Sequence, residues 1–131
     1  MSAPVAATVR RTRVLIVDDD PAVRDILSAV LRREGLTADA AADGEQAIAL
    51  LQQHTYGAVL LDLMMPGVDG HGVLRFMRER DIGTPVIVVS AVTSELAQTL
   101  DPQIVRISMQ KPFEIGELKA VVAALVETTG R

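Results

Sequence analysis

The chain has 131 residues, a length that suits one domain able to bury roughly two-thirds of the surface that its unfolded form would expose. Almost half of the residues (49%) are hydrophobic and only 2% are aromatic, which predicts a packed core of aliphatic side chains rather than a disordered chain. A net charge of −4 disfavours a general nucleic-acid binder, the lack of cysteine excludes disulfides and thiolate chemistry, and no apolar run is long enough for a membrane span.

The first twelve residues contain alanine, proline and threonine but no hydrophobic signal core. We therefore expect residues 1–12 to form a loose tail on a cytoplasmic protein. The folded domain is expected to cover residues 13–128, followed by a short tail at residues 129–131. Three arginines around the start of the domain are expected to be solvated, namely Arg10, Arg11 and Arg13.

The first half of the chain alternates short aliphatic strands with amphipathic helices. The first strand is predicted at about Arg13–Val17, and the first helix follows it with Asp20 as the N-cap and Pro21 at the first helical position. A weaker strand is expected at about Thr37–Ala41, and a second helix begins near Asp43. The apolar face of the first helix is predicted to consist of Val23, Ile26, Leu27, Val30 and Leu31.

The second half of the chain continues the alternation. The predicted strands are Ala58–Leu61, Val86–Val89 and about Ile104–Met109. The predicted helices are about His71–Arg80, a short and poorly patterned one near Ser94–Leu100, and about Ile115–Thr128. The last of these carries an apolar stripe of Ile115, Leu118, Val122 and Leu125. Five such strand–helix units predict an α/β fold, a doubly wound five-stranded parallel sheet with helices on both faces and the flavodoxin-like strand order 2-1-3-4-5.

Polar residues stand just past the ends of four predicted strands, namely Asp18, Asp19, Asp62, Ser90 and Lys111. Ligands of open parallel sheets bind at the carboxyl ends of the strands, so we expect these side chains to converge at one edge. Three adjacent carboxylates repel one another unless a cation joins them, and Mg²⁺ is the cation that best suits them. Asp62 could then attack phosphorus as a nucleophile. The Lys111 ammonium, the Ser90 hydroxyl and the backbone N–H groups after Ser90, beginning with that of Ala91, would neutralise the transferred charge.

With these residues in place, the sequence resembles the receiver domain of bacterial response regulators, over about Arg13 to Val126. The stretches that carry the resemblance are Val14–Asp20, Leu61–Gly70, Val89–Ala91 and Lys111–Phe113. The resemblance implies that Asp62 is the phosphoacceptor, charged by a sensor histidine kinase or a histidine phosphotransfer protein. It also implies that the Ser90 hydroxyl and Lys111 contact the phosphoryl group.

The same resemblance implies a ligand set for magnesium. Asp19, Asp62 and the backbone carbonyl of Met64 would bind the ion directly, and Asp18 would act through a water molecule. The Lys111–Pro112 bond is expected to be cis, as it is in the family. The chain departs from the family at Ser108, where an aromatic residue usually stands three positions before the lysine. We therefore expect phosphorylation chemistry to be intact and the usual aromatic switch to be missing.

The leading hypothesis is a stand-alone phosphorylatable switch for two-component signalling, an acceptor rather than a turnover enzyme. It would act on a downstream protein, with no nucleic-acid or membrane partner. One alternative is a receiver-like interaction module that works without phosphorylation. Another is a phosphatase of the haloacid-dehalogenase type with an aspartate nucleophile, which needs a second aspartate two residues later, where this chain has Met64. A dinucleotide binder is disfavoured because no glycine-rich fingerprint follows the first strand.

Overall fold

The structure is a computed structural model that describes residues 13–65, 67–90 and 102–129. Its five parallel strands are β1 (Arg13–Val17), β2 (Thr37–Ala41), β3 (Ala58–Leu61), β4 (Val86–Ser90) and β5 (Val105–Gln110). They form one sheet in the order β2-β1-β3-β4-β5, which confirms the predicted flavodoxin-like topology. The predicted bounds of β1, β2 and β3 are correct, β4 extends one residue further to include Ser90, and β5 begins and ends one residue later.

The described residues include four helices around the sheet, namely α1 (Pro21–Arg33), α2 (Gly44–Gln53), α3 (Gly70–Glu79) and α4 (Ile115–Thr129). The predicted helix near residues 94–100 lies outside the described residues. An aspartate caps each of the first three helices: the side chains of Asp20, Asp43 and Asp69 accept backbone N–H bonds within the first turn. The helix α3 begins one residue earlier than predicted because Asp69 serves as its N-cap. Within the described part of the chain, no helix has the length and apolar character needed to cross a membrane.

The core consists of two aliphatic clusters, one on each face of the sheet. Alternate strand residues point to opposite faces, so Leu15 and Val17 of β1 pack on one side while Val14 and Ile16 pack on the other. The first cluster is closed by α2 and α3, and the second by α1 and α4. This burial on both faces explains why the three central strands, β1, β3 and β4, are nearly continuous aliphatic runs in the sequence.

Two residues that were predicted to face the core are exposed. Ile26 is 47% exposed although Val30, one turn later on a similar side of α1, is buried. Ile115 is also 47% exposed. It is the first residue of α4, and the first buried side chain of that helix is Leu118, one turn later.

A polar cluster that the sequence did not reveal fastens β1 to β2 and to the residues before β3. The Arg13 guanidinium donates to the Asp39 carboxylate at 2.6 Å, and the Tyr56 hydroxyl donates to the same oxygen at 2.7 Å. The Thr84 hydroxyl in turn donates to the Tyr56 carbonyl at 3.2 Å. Arg13 is therefore half-buried and paired, and the prediction that it is solvated was wrong.

This cluster perturbs the pKa values of its members. Burial raises the pKa of Tyr56, and the neighbouring Asp39 carboxylate raises it further. For Asp39, burial by itself would raise the pKa, but the hydrogen bonds from Tyr56 and Arg13 outweigh it and lower the pKa below its ordinary value of 3.8. The lowered pKa favours the charged form of the carboxylate in the folded protein.

We expect Tyr56→Phe to lower the free energy of unfolding by about 1–2 kcal/mol at neutral pH, because it removes a hydrogen bond to a charged acceptor. The folded-state pKa of Asp39 is depressed, so this stabilisation is present above pH 3.8 and is lost as the pH falls through the folded-state value. Urea unfolding of both proteins at neutral and acidic pH checks the prediction. A difference between them that does not shrink on acidification would contradict it.

Candidate functional site

Two buried carboxylates lie side by side at the carboxyl edge of the sheet. The strand ends Val17 and Leu61 are register partners, so Asp18 and Asp62, which follow them, are neighbours. The Asp62 N–H donates to the Val17 carbonyl at 2.9 Å, and both aspartates are at most 5% exposed. Asp19 is exposed beside them, and each of the three carboxylates offers an oxygen within 4.8 Å of the other two. The sheet therefore brings the three predicted aspartates together.

The Asp62 carboxylate is held by two donors on one oxygen. The Ser90 hydroxyl donates to Oδ1 at 2.8 Å, and the Met64 N–H donates to the same atom at 3.0 Å. Ser90 is fully buried as the last residue of β4, so its hydroxyl has a fixed position. These two bonds orient the carboxylate plane and leave Oδ2 facing Lys111. Ser90 thus lies where the sequence predicted, in contact with Asp62.

Lys111 brings a positive charge between the two buried aspartates. Its Nζ lies 2.7 Å from Asp18 Oδ2 and 3.4 Å from Asp62 Oδ2. Burial by itself would lower the pKa of Lys111, but the hydrogen bond and charge of Asp18, together with Asp62, outweigh it and raise the pKa above its ordinary value. The Lys111 N–H donates to the Ser90 carbonyl at 2.9 Å, and the Lys111–Pro112 bond is cis as expected. The lysine is closer to Asp18 than to the predicted phosphoacceptor.

The loop that carries Asp18 and Asp19 has its own supports, and one of them was missed in the sequence. The Asp20 N–H donates to Asp18 Oδ1 at 2.9 Å. The Arg24 guanidinium donates to the Asp18 carbonyl at 2.9 Å. A signal for Arg24 exists in the sequence, because a helical side chain leans toward the N-terminus and Arg24 stands one turn after the N-cap Asp20.

Met64 and Ala91 are two further residues that the sequence predicts at the site. The Met64 side chain is 61% exposed. Its N–H contacts Asp62, while the predicted role of its carbonyl as a metal ligand stays a prediction. Ala91, whose N–H was expected to contact a phosphoryl group, lies outside the described residues.

The residues at this edge fit a hard divalent cation. Three carboxylates converge, two of them buried, and the single ammonium of Lys111 in contact with them offsets one negative charge. Oxygen ligands of this kind, with one side open to water through the exposed Asp19, match the preference of Mg²⁺ for a few carboxylates and several waters. Such a site combines a fixed carboxylate, a hydroxyl, an ammonium and carboxylate ligands for a metal, which are the functional groups that phosphoryl transfer requires.

Comparison with known proteins agrees with this geometry. A family model described as the response regulator receiver domain matches residues 14–123. The chain therefore belongs to the response regulator receiver domain family, whose members are signalling domains of two-component systems.

Two curated relatives are mycobacterial regulators. The transcriptional regulatory protein TcrA of Mycobacterium tuberculosis is 39% identical over 116 residues, which cover 86% of this chain and 45% of TcrA. The DNA-binding response regulator MtrA of Mycolicibacterium smegmatis is 38% identical over 115 residues, which cover 87% of this chain and 50% of MtrA. The chain thus spans about half the length of these relatives.

Two solved receiver structures share the fold closely. The receiver domain of the Francisella response regulator 1452 has a TM-score of 0.84 and 31% identity, with coverage of 90% of this chain and 98% of that one. The response regulator TrrA of Thermotoga maritima, solved in complex with Mg²⁺ and BeF, has a TM-score of 0.77 and 32% identity, with coverage of 87% and 98%.

Proposed function

We propose that this domain is a phosphorylatable signalling switch that accepts a phosphoryl group onto Asp62 in a magnesium-dependent reaction. The observation that carries the proposal is the surroundings of Asp62: a buried carboxylate held by the Ser90 hydroxyl, facing Lys111 and grouped with two more aspartates. The complex of TrrA with Mg²⁺ and BeF supports the choice of metal.

In the proposed reaction, a carboxylate oxygen of Asp62 attacks the phosphorus of a phosphohistidine presented by a histidine kinase or phosphotransfer protein. The new O–P bond forms as the P–N bond breaks, and the imidazole leaves with the electron pair and takes up a proton. Bound magnesium would neutralise charge on the transferred group, with Asp19, Asp62 and the Met64 carbonyl as ligands and Asp18 acting through water. Lys111 and the Ser90 hydroxyl would contact the phosphoryl oxygens.

The domain is proposed to be an acceptor that passes on a signal, not a turnover enzyme. Its output would run through a downstream protein. MtrA is named a DNA-binding regulator, but this chain spans half of MtrA, so the absence of nucleic-acid binding stays a prediction, as does the cytoplasmic location.

The test is mass spectrometry after incubation with acetyl phosphate and Mg²⁺. We expect one added phosphate, mapped to Asp62, and no label in Asp62→Asn or in the presence of a chelator. A wild-type protein that stays unlabelled would favour the phosphorylation-independent module. Continuous release of phosphate from many monoesters would instead favour the phosphatase alternative.

A second prediction concerns the metal itself. We expect Asp19→Ala to weaken Mg²⁺ binding by roughly tenfold, because it removes one of three converging carboxylates. The matched control is Asp25→Ala, which removes an exposed aspartate from α1 and should change the affinity little. Calorimetric titration with Mg²⁺ measures both. Equal affinities for the two variants would exclude Asp19 from the metal site.

A further inference from the structure

The loop between β3 and α3 starts at Asp62. The first residue of α2, Gly44, contacts the end of this loop that lies nearer to α3. The Gly44 N–H donates to the Val68 carbonyl at 3.1 Å. A Cβ atom at Gly44 would overlap that carbonyl oxygen and lie 2.6 Å from Val68 Cγ1 and 2.9 Å from the carbonyl carbon. Only glycine permits this approach, and the obstacle is chiefly backbone.

Two residues after Val68, the chain comes back into contact with the start of the loop at Asp62. The Gly70 N–H donates to the Leu63 carbonyl at 3.2 Å, and a Cβ atom at Gly70 would lie 2.6 Å from the Asp62 carbonyl oxygen. At the start of the loop, the Met64 N–H donates to the Asp62 carboxylate. The loop is therefore held at both ends, and its far end is held by α2.

The start of α2 has little freedom to retreat from the loop. The Asp43 side chain accepts the Gln46 N–H at 2.8 Å, and the Gln46 side chain accepts the Ala42 N–H at 2.8 Å. This reciprocal cap fixes the first turn, and Ala47 in the same turn is completely buried in the core. If Gly44 gained a side chain, the loop rather than the helix would have to shift.

We propose that Gly44 is a positioning residue for phosphoryl transfer: its contact with Val68 sets the place of the β3–α3 loop, and through it the Met64 N–H, relative to the Asp62 carboxylate. This inference rests on the proposed function. The same contact works in the other direction, so that a group bound at Asp62 changes the environment of the first turn of α2.

The chain offers a matched control at Gly72. A Cβ atom at Gly72 would also meet Val68, but at 2.8 Å from the side-chain atom Cγ1, which Val68→Ala removes. We compare Gly44→Ala and Gly72→Ala, each combined with Val68→Ala. Only the Gly72 conflict should be relieved, because the Gly44 conflict lies with the Val68 carbonyl.

Labelling by acetyl phosphate is measured at saturating Mg²⁺ and at a temperature where all the variants are folded, so that a loss of stability does not lower the labelling rate. We expect the Gly44→Ala, Val68→Ala protein to be labelled about tenfold or more slowly than wild type, because small misplacements of reacting groups are costly. The Gly72→Ala, Val68→Ala protein should be within about twofold of wild type. Wild-type labelling of the Gly44 variant would overturn the inference, whereas an unlabelled wild type would overturn the proposed function instead.

Hydrogen exchange of the wild-type protein gives a second test that does not depend on the variants folding. We expect exchange of the Gly44 amide to slow at least about threefold when Mg²⁺ and beryllium fluoride, or Mg²⁺ alone, are added. The control is the Gly57 amide, which donates to the Arg13 carbonyl at 2.7 Å before β3 begins and should slow only as much as the overall gain in stability on binding requires, and by less than the Gly44 amide. A Gly44 amide that exchanges at the same rate in every condition would overturn the coupling.

Discussion

Replacing Lys111 with methionine is expected to make the stability of this domain depend strongly on Mg²⁺. The substitution keeps a long side chain but removes the charge that lies 2.7 Å from Asp18 and 3.4 Å from Asp62. Two buried carboxylates would then lack a counterion in metal-free buffer. Breaking a buried ion pair costs several kcal/mol, and because the Lys111 side chain is 22% exposed we expect a loss of about 2–3 kcal/mol.

Added Mg²⁺ should restore much of that stability, because the ion supplies the missing positive charge and binds only the folded state. Urea unfolding with a chelator and with Mg²⁺ measures the effect. The control is Lys119→Met, which removes a surface ion pair with Glu34 at 3.2 Å and should cost less than about 1 kcal/mol in either buffer. A Lys111 variant that loses no more stability than the control would show that the buried aspartates do not need the lysine.

The same variant should be labelled by acetyl phosphate about 10²- to 10³-fold more slowly, since a charge preorganised for the transferred group is worth a few kcal/mol. Labelling is compared at saturating Mg²⁺, where the variant is folded. A normal rate in the variant would separate the structural role of Lys111 from its proposed role in transfer.

Replacing Met64 with asparagine is expected to shorten the lifetime of the phosphorylated state. Hydrolysis needs a water molecule aligned with the bond between Asp62 and phosphorus, and residues two positions beyond the phosphoacceptor flank that approach in receivers. The Met64 side chain is exposed beside Asp62 and cannot hold water by hydrogen bonding. An amide could orient the water, and one positioning contact is worth ~1–3 kcal/mol, or roughly 5- to 150-fold in rate.

Loss of phosphate from the labelled proteins, followed by mass spectrometry, measures that lifetime. The control is Ile26→Asn, which places the same amide on an exposed apolar position of α1. It should leave the lifetime unchanged. If both variants decay at the wild-type rate, the side chain at Met64 does not control access of water. We also expect the apolar side chain of Val92, two residues beyond Ser90, to shield the bond, but this residue lies outside the described residues.

The central strands β1, β3 and β4 were predictable because each is buried on both faces and is an aliphatic run in the sequence, whereas the edge strands β2 and β5 alternate buried and exposed residues and gave a weaker signal. The sequence pattern does not extend β4 to Ser90, because a hydroxyl does not mark a strand interior, yet the Ser90 backbone continues the ladder with Gln110. The helix starts were predictable from Asp20 and Asp43, whose short acidic side chains suit N-caps. The exposure of Ile26 and Ile115 was not predictable, because both fit a helical stripe and only the angle to the sheet decides their burial.

The candidate site was predictable because a parallel sheet gathers the ends of its strands. The sequence therefore predicts that Asp18, Asp62 and Lys111 lie together, although it gives no distances between their side chains. It could not show that Lys111 lies closer to Asp18, which depends on how β5 pairs with β4. The contact of the Gly44 N–H with the Val68 carbonyl was also out of reach, because it joins backbone groups that are distant in the sequence, whereas the contact of Arg24 with the Asp18 carbonyl is local and had a signal.

The irregular pairing of β5 decides on which side of the sheet its residues fall. Val86 pairs with Val105, but the next residue, Ile87, pairs with Ile107, so one residue of β5 is left over. As a result Val105 belongs to the core cluster on the face covered by α2 and α3, whereas Ile107 and Met109 belong to the cluster on the face covered by α1 and α4. The extra residue changes the face of the sheet to which the later residues of the last strand point, and it also sets the position of Lys111 beyond the end of that strand. Deleting Arg106 would therefore remove the bulge and leave Val105 and Ile107 adjacent, so that a regular strand would carry them to opposite faces in the same pairing with β4, whereas inserting a second residue there would exchange the two faces for every residue up to the lysine.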